Sequence, residues 1–309
     1  MSNLTKYFFI SFIFIILINK NIESAENRIL FKVNNEIITS IDILNELRYL
    51  KTINEKFKIT KEKQAFEIAK RSLIREKIKE IELKKIYKEI KLEDKFLNNV
   101  LTNYFTKIQI DSVSDFNNFF TSINIDPELI KKKIIIDVLW SQLIFNKYNN
   151  SVKINKQDII KNLKNNNRQK EFFLYEILFN INKDEKLDDK FNLIKNKINQ
   201  SNFSEAALIY SVSDTSNRGG ELGWIKEATL NKKIKDILQN IKIGNYSNPI
   251  LIPSGFLILK IEDIREVDNY FEKDKEIEKI IKEKTNEQLN QFSNIYFKKI
   301  QKDVTINEL

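Results

Sequence analysis

Apolar Ile29 to Val33, the polar pair Asn34-Asn35 and apolar Ile37 and Ile38 outline a short hairpin, since asparagine tolerates the positive φ that a tight turn needs. Thr39 followed by Asp42 predicts a helix opened by a capping-box pair, with Ile41, Leu44 and Leu47 as its apolar stripe. Helical spacing resumes from Thr60 to about Ile90, where Ile74, Ile78 and Ile81 share a face, and again from about Glu93 and from Asp115. Asp126-Pro127 opens a further helix, through Trp140 to about Lys147, with aspartate as N-cap and proline where its missing N–H costs nothing. Asn155 and Asp158 cap a short helix before Lys161 to Lys170, read as a linker or a frayed helix end.

The pattern then changes character. Phe172 to Phe179 reads as a buried strand, Asp184 to Asn199, Phe203 to Tyr210 and Leu230 to Ile241 as helices, and Tyr246 to Ile252 and Phe256 to Ile261 as closing strands. No glycine occurs through residue 170, and all five lie between 219 and 255 with two of the three prolines, so residues suited to positive φ are confined to one region. Phe271 to Lys302 is one long helix whose apolar positions, among them Ile277, Ile280, Leu289, Phe292, Tyr296 and Phe297, require a partner.

Composition removes whole classes of chemistry. Without Cys or His there are no disulfides, no thiol or imidazole catalysis and no ordinary zinc site. The net charge of +9 is concentrated as +10 in residues 26–170, against 0 in 171–265 and −2 in 266–309. Acids alternate with the lysines there, as in Arg75, Glu76, Lys77, Lys79, Glu80, Glu82 and Lys84, which describes solvated helix faces better than a nucleic-acid footprint. Lys6, the apolar run Tyr7 to Ile18 and the small residues Ser24 and Ala25 have the layout of a secretory signal peptide. The run is shorter than the ~20 residues that span a bilayer. The expectation is a mature chain starting near Glu26, exported to the periplasm, with no stable membrane insertion after cleavage.

Tyr210-Ser211, Gly219-Gly220-Glu221-Leu222-Gly223-Trp224, Gly244 with Ser247 and Pro249, and Ser254-Gly255-Phe256 stand in an order and spacing that resemble a parvulin-type (PpiC, rotamase) peptidyl-prolyl isomerase domain. The opening Val33 to Thr39, the helical first half and the long last helix extend the resemblance to SurA-like periplasmic chaperones. It implies an α+β fold: a signal peptide (1–25), a helical domain (26–170), an inserted parvulin-like domain with a small antiparallel sheet flanked by helices (171–265), and a C-terminal helix packing on the helical domain (266–309). SurA carries two parvulin domains, whereas one is present here. The partners implied are unfolded or extended polypeptides, outer-membrane or other exported proteins, with no nucleic acid, cofactor or metal.

By the same resemblance a slot for the proline ring is built from Leu222, Leu230 and Ile234, residues that read equally well as plain core. The two central histidines of the family fall at Glu176 and Leu257, its Cys or Asp at Ser213 or Asp214 according to a one-residue gap, and Ser254 is retained. Trp224 reads as a core anchor. A holdase with a weak or inactive isomerase domain is expected, and an active prolyl isomerase is the alternative.

Overall fold

The computed structural model describes residues 27–164, 168–182, 184–268 and 273–309; the expected signal peptide, its cleavage point near Glu26 and the expected helix start at Phe271 lie outside the described residues. Strand β1 (Ile29–Val33) turns through Asn34, at φ 50°, into β2 (Glu36–Thr39). Thr39 then caps α1 (Ser40–Ile53): its hydroxyl accepts from the Asp42 N–H while the Asp42 carboxylate accepts from the Thr39 N–H at 2.8 Å. The inward face of α1 differs from the expected one. Ile41 and Leu44 are exposed, and Ile43, Glu46 and Leu50 are buried, with Leu47 partly so. A glutamate belongs to the buried stripe because Ser72 donates to it at 2.6 Å and Lys133 pairs with it at 3.0 Å.

Helices α2 (Glu62–Lys84), α3 (Asp94–Tyr104), α4 (Val113–Ser122), α5 (Pro127–Tyr148) and α6 (Lys156–Lys164) follow. Asp126 caps α5, with Pro127 in its first turn. Ile68, Ile78 and Leu83 of α2 meet Ile136, Trp140 and Ile144 of α5 and Phe31 and Val33 of β1 in one core, while Leu101, Phe105, Phe116 and Phe120 form a smaller aromatic core between α3 and α4. The charges of α2 are not uniformly solvated. Lys79, Glu80 and Glu82 are buried, because Glu80 is paired by Lys84 and Lys132, Glu82 by Lys85 and the Tyr296 hydroxyl, and Lys79 by Asp137 and Asp214.

The glycine-bearing region forms β3 (Arg168–Phe179), α7 (Leu187–Gln200), α8 (Phe203–Tyr210), β4 (Glu221–Lys226), α9 (Lys232–Leu238), β5 (Ile250–Ile252) and β6 (Gly255–Asp268). These strands make an antiparallel sheet in the order β4-β3-β6-β5. Its central pair is longer than the apolar runs suggest, since Arg168 to Phe179 pair with Asp268 back to Phe256, with one register shift between Phe173 and Leu174, and the backbone ladder outlasts the hydrophobic pattern. The expected strand from Tyr246 shortens to Ile250–Ile252, after Pro249, which has no N–H for a ladder. Phe172, Leu174, Leu257, Leu259 and Ile261 pack on Ile234 and Leu238 of α9, and Ile177, Phe179 and Ile258 pack on Ile194 of α7 and Ala206 and Ala207 of α8.

Helix α10 (Lys273–Gln301) touches both regions. Phe292 stacks on Tyr148 at 4.9 Å, and Tyr296 and Phe297 flank Trp140. Toward its start, Ile277 and Ile280 pack with Ile159 of α6 and Ala228, Glu276 pairs with Lys226, and Lys284 donates to the Thr229 carbonyl at 2.6 Å. Strand β7 (Ile306–Glu308) then returns to β1 antiparallel, pairing Val33 with Ile306 and Phe31 with Glu308, to give the order β2-β1-β7. Among the described residues no helix is long and apolar enough to cross a membrane.

Candidate functional site

Strand alternation places Glu176 on the face of β3 that carries Phe172 and Leu174, so its carboxylate enters an apolar surface and needs donors. The segment after α8 supplies them. Val212 N–H donates to the Leu178 carbonyl at 2.7 Å, and the Ser211 hydroxyl accepts from Leu178 N–H at 3.1 Å, which fastens this loop beside the strand. A 3-10 turn, Asp214–Arg218, follows with Ser213 as its cap. Ser213 Oγ and Thr215 Oγ1 both donate to Glu176 Oε1, at 2.5 and 2.8 Å. Gly220 closes the turn at φ +79°, and its carbonyl accepts from Glu176 N–H at 2.7 Å; a Cβ at this position would stand 2.1 Å from the Glu176 carbonyl oxygen.

Desolvation raises the Glu176 carboxyl above its ordinary range, with a smaller push from Asp214, against the two hydroxyl donors that favour the charged form. Glu287 of α10 is also raised, by desolvation first, with Lys284 opposing and Glu176 adding a smaller push.

Asp214 turns the other way. It accepts from Arg75 Nε and Nη2 at 3.0 and 2.8 Å and from Lys79 Nζ at 3.2 Å, all from α2. Desolvation would raise this acid, but Arg75 and Lys79 outweigh it and hold the carboxyl well below the usual range. Of the two residues that compete for the family's Cys or Asp position, Ser213 thus lies against Glu176, and Asp214 fastens the loop to α2.

Leu257 is buried in β6 between Leu178 of β3 and Ile250 of β5. Leu222, Leu230 and Ile234 share its apolar cluster, and Asn231 sets the start of α9 by accepting from Ile234 N–H at 2.9 Å. Ser254, in the turn between β5 and β6, is buried, and its hydroxyl has no hydrogen-bond partner among the described residues. Trp224 is half-buried rather than a core anchor: it sits on edge strand β4 with its ring against Phe173 at 5.3 Å and the Arg265 guanidinium over it at 4.1 Å. Among the described residues no group of three or more acids is placed to hold a metal ion.

The arrangement sets an apolar cluster on the sheet face that also carries a carboxylate of raised proton affinity, held by two hydroxyls. Sequence reasoning did not find Thr215, Arg75, Lys79 or Glu287 as parts of this site. A signal for two of them existed, since Arg71, Arg75 and Lys79 recur every four residues and make a cationic stripe on α2.

Residues 177–263 match the rotamase family, the PPIC-type PPIase domain. The chain is 37% identical over 65 residues to the chaperone SurA of Pseudomonas putida, covering 21% of this chain and 15% of that protein. It is 26% identical over 166 residues to the chaperone SurA of Nitrosococcus oceani, covering 50% of this chain and 39% of that protein. The chain therefore spans well under half the length of these curated relatives. Among solved structures, a PpiC-type peptidyl-prolyl cis-trans isomerase domain is similar at 28% identity and a TM-score of 0.29, covering 33% of this chain and 96% of that one. A SurA-like chaperone of Campylobacter jejuni, from a study of PEB4 and Cj1289, is similar at 17% identity and a TM-score of 0.36, covering 92% of this chain and 99% of that one. The assignment of the domain rests on the sequence match.

Proposed function

For a chain that carries a PPIC-type PPIase domain joined to a SurA-like helical region, we propose a periplasmic chaperone role. It holds unfolded or extended segments of exported proteins, outer-membrane proteins among them, while its isomerase domain turns over slowly or not at all. The observation that carries this reading is the state of the polar rim. Where the resemblance implies two imidazoles there are a carboxylate already engaged by Ser213 and Thr215 and a buried leucine, Leu257.

Rotation about an X-Pro bond crosses roughly 18–20 kcal/mol and needs no net proton transfer, so a slot alone retains some effect. Losing two or three neutral hydrogen bonds of about 1 kcal/mol each costs roughly a hundredfold in rate, at about 1.36 kcal/mol per tenfold. The second reading, an active isomerase, is favoured by one observation, that Leu222, Leu230 and Ile234 lie together in one apolar cluster.

Two assays on the mature chain decide between them. An aggregation assay with an unfolded client should show suppression in proportion to chaperone concentration. An X-Pro peptide assay should give about a hundredth, or less, of the rate of a histidine-bearing parvulin. Equal rates in the second assay would replace the chaperone-only reading with the isomerase reading, and no suppression in the first would remove the holdase role.

A further inference from the structure

A cavity of about 100 Å³ lies where α2, α10 and the loops of the sheet domain meet. Three cations line it, Arg71, Arg75 and Lys298, and no Asp or Glu is among the lining residues. Its lining is mixed: apolar Ile74, Ile78, Val212 and Phe297 stand beside the buried serines Ser72, Ser211 and Ser254. Ser254 is 5% exposed, and its Oγ has no hydrogen-bond partner among the described residues; Asn294 Oδ1, from α10, is in the same condition, and both residues line the cavity. Buried polar atoms are nearly always paired, so two orphans on residues that line one small space mark hydrogen-bonding capacity left over beside it.

The cations are held in place by neutral groups as well as by acids. Arg75 uses Nε and Nη2 on Asp214 and Nη1 on the Val212 carbonyl, and its guanidinium lies 4.1 Å from the centre of the Phe297 ring. Asp214 is shared with Lys79. Arg71 donates to the carbonyls of Leu208 and Ile209, and Lys298 to Asn180 Oδ1 at 2.7 Å. A guanidinium has five N–H donors and an ammonium three, so each of these side chains keeps donors to spare. Glu67, a turn away on α2, favours the charged form of Arg71 against desolvation and the neighbouring Arg75. Turning the Asn294 amide over puts its NH₂ where the unpaired oxygen stands, which makes the orphan a donor.

We propose that this cavity is a binding site for an oxyanion, a carboxylate or phosphate group, that enters past Arg71 and Lys298 and receives donors from Arg75, Ser254 and Asn294. The volume suits it: at about 30 Å³ per water, the space equals roughly three waters, which is the scale of one such group. The carboxylate of a client polypeptide and a free inorganic anion share this chemistry. The cavity shares Arg75 and Ser254 with the candidate site, and the proposal does not rest on the chaperone reading.

The test uses the full mature chain, with inorganic phosphate or acetate replacing chloride at constant ionic strength, followed by calorimetry and melting temperature. Saturable binding is expected, weakened at least fivefold by Lys298→Gln and by Asn294→Leu and unchanged by Lys95→Gln on the exposed face of α3. Lys298 is exposed, so its variant folds even where Asn294→Leu does not. A short peptide with a free C-terminal carboxylate, compared with its amide and in competition with phosphate, tells the sources apart. Preference for the acid assigns the site to clients, and equal peptide binding with phosphate still bound assigns it to a free anion. No saturable binding of either anion, or binding that Lys298→Gln leaves intact, overturns the proposal.

Discussion

The indole Nε1 of Trp140 donates to Oγ of Ser293 at 2.8 Å, a bond between α5 and α10 that spans 153 residues of sequence. Both groups are buried, so neither has water to fall back on. Ser293→Ala leaves the indole N–H without a partner and is expected to cost about 1–3 kcal/mol. Urea unfolding should show a lower midpoint at an unchanged slope. Removing residues 270–309 takes away Tyr296, Phe297 and Ile300 as well, and should destabilise residues 26–165 while an isolated 171–265 fragment stays folded. If the truncated protein melts as its parent does, docking of α10 contributes nothing.

Glu176 gives a pH-dependent prediction. Its carboxyl is raised in the folded chain, so between its unfolded and folded values the native state keeps a proton that the unfolded state releases. Stability therefore falls as pH rises through that window, and the loss persists above it. Glu176→Gln keeps an acceptor for Ser213 and Thr215 and removes the buried charge. It should raise the melting temperature at pH 8, by about 2–4 °C for each kcal/mol recovered, and change it little at pH 4. A variant that is destabilised at both pH values would mean that the carboxylate itself is required.

Two glycines with nearly the same φ should respond differently to alanine. Gly220 and Gly223 stand at +79° and +78°, but a Cβ at Gly220 meets the Glu176 carbonyl whereas one at Gly223 meets nothing within 4 Å. Gly223→Ala should cost about 1–2 kcal/mol, the left-handed penalty alone. Gly220→Ala should cost more and loosen the loop that carries Ser213. Equal costs in chemical denaturation would show that the close approach relaxes freely.

Leu257→His should not restore isomerisation. The imidazole would enter an apolar position between Leu178 and Ile250, while Glu176, already held by two hydroxyls, still occupies the partner site. The expected result is an X-Pro rate within about twofold of the parent and a loss of stability of roughly 1–3 kcal/mol from burying a polar ring. A tenfold gain in rate would show that one imidazole suffices.

Local signals in the sequence account for much of the fold. The Asn34 turn, the Thr39–Asp42 cap, Asp126-Pro127 and the confinement of glycine to 219–255 each express a backbone requirement within a few residues, and each stands where it was expected. What stayed hidden depends on pairs far apart. Glu46 looks like a solvent residue until Lys133 and Ser72 are placed beside it, and that alone turns the α1 stripe. The alternating charges of α2 look solvated until Asp214, over a hundred residues away, is seen to collect Arg75 and Lys79. At the candidate site Ser213 and Asp214 were marked by the family resemblance, whereas Thr215 and the contributions of α2 were not, since an apolar-period pattern says nothing about which charges will be desolvated.

Strand β1 lies between β2, its immediate successor, and β7, which begins some 270 residues later; Asn34 N–H, for example, donates to the Thr305 carbonyl at 2.9 Å. A sheet closed in this way carries a long loop-closure cost before its last strand can add, and contacts of such separation are slow to form. On the proposed export route the first strands reach the periplasm well before residues 305–308. Until those residues arrive, β1 keeps an unpaired edge and the face of α5 that takes α10 stays uncovered. On the proposed chaperone role, a folding helper of this topology is itself, for most of its own delivery, an incomplete client.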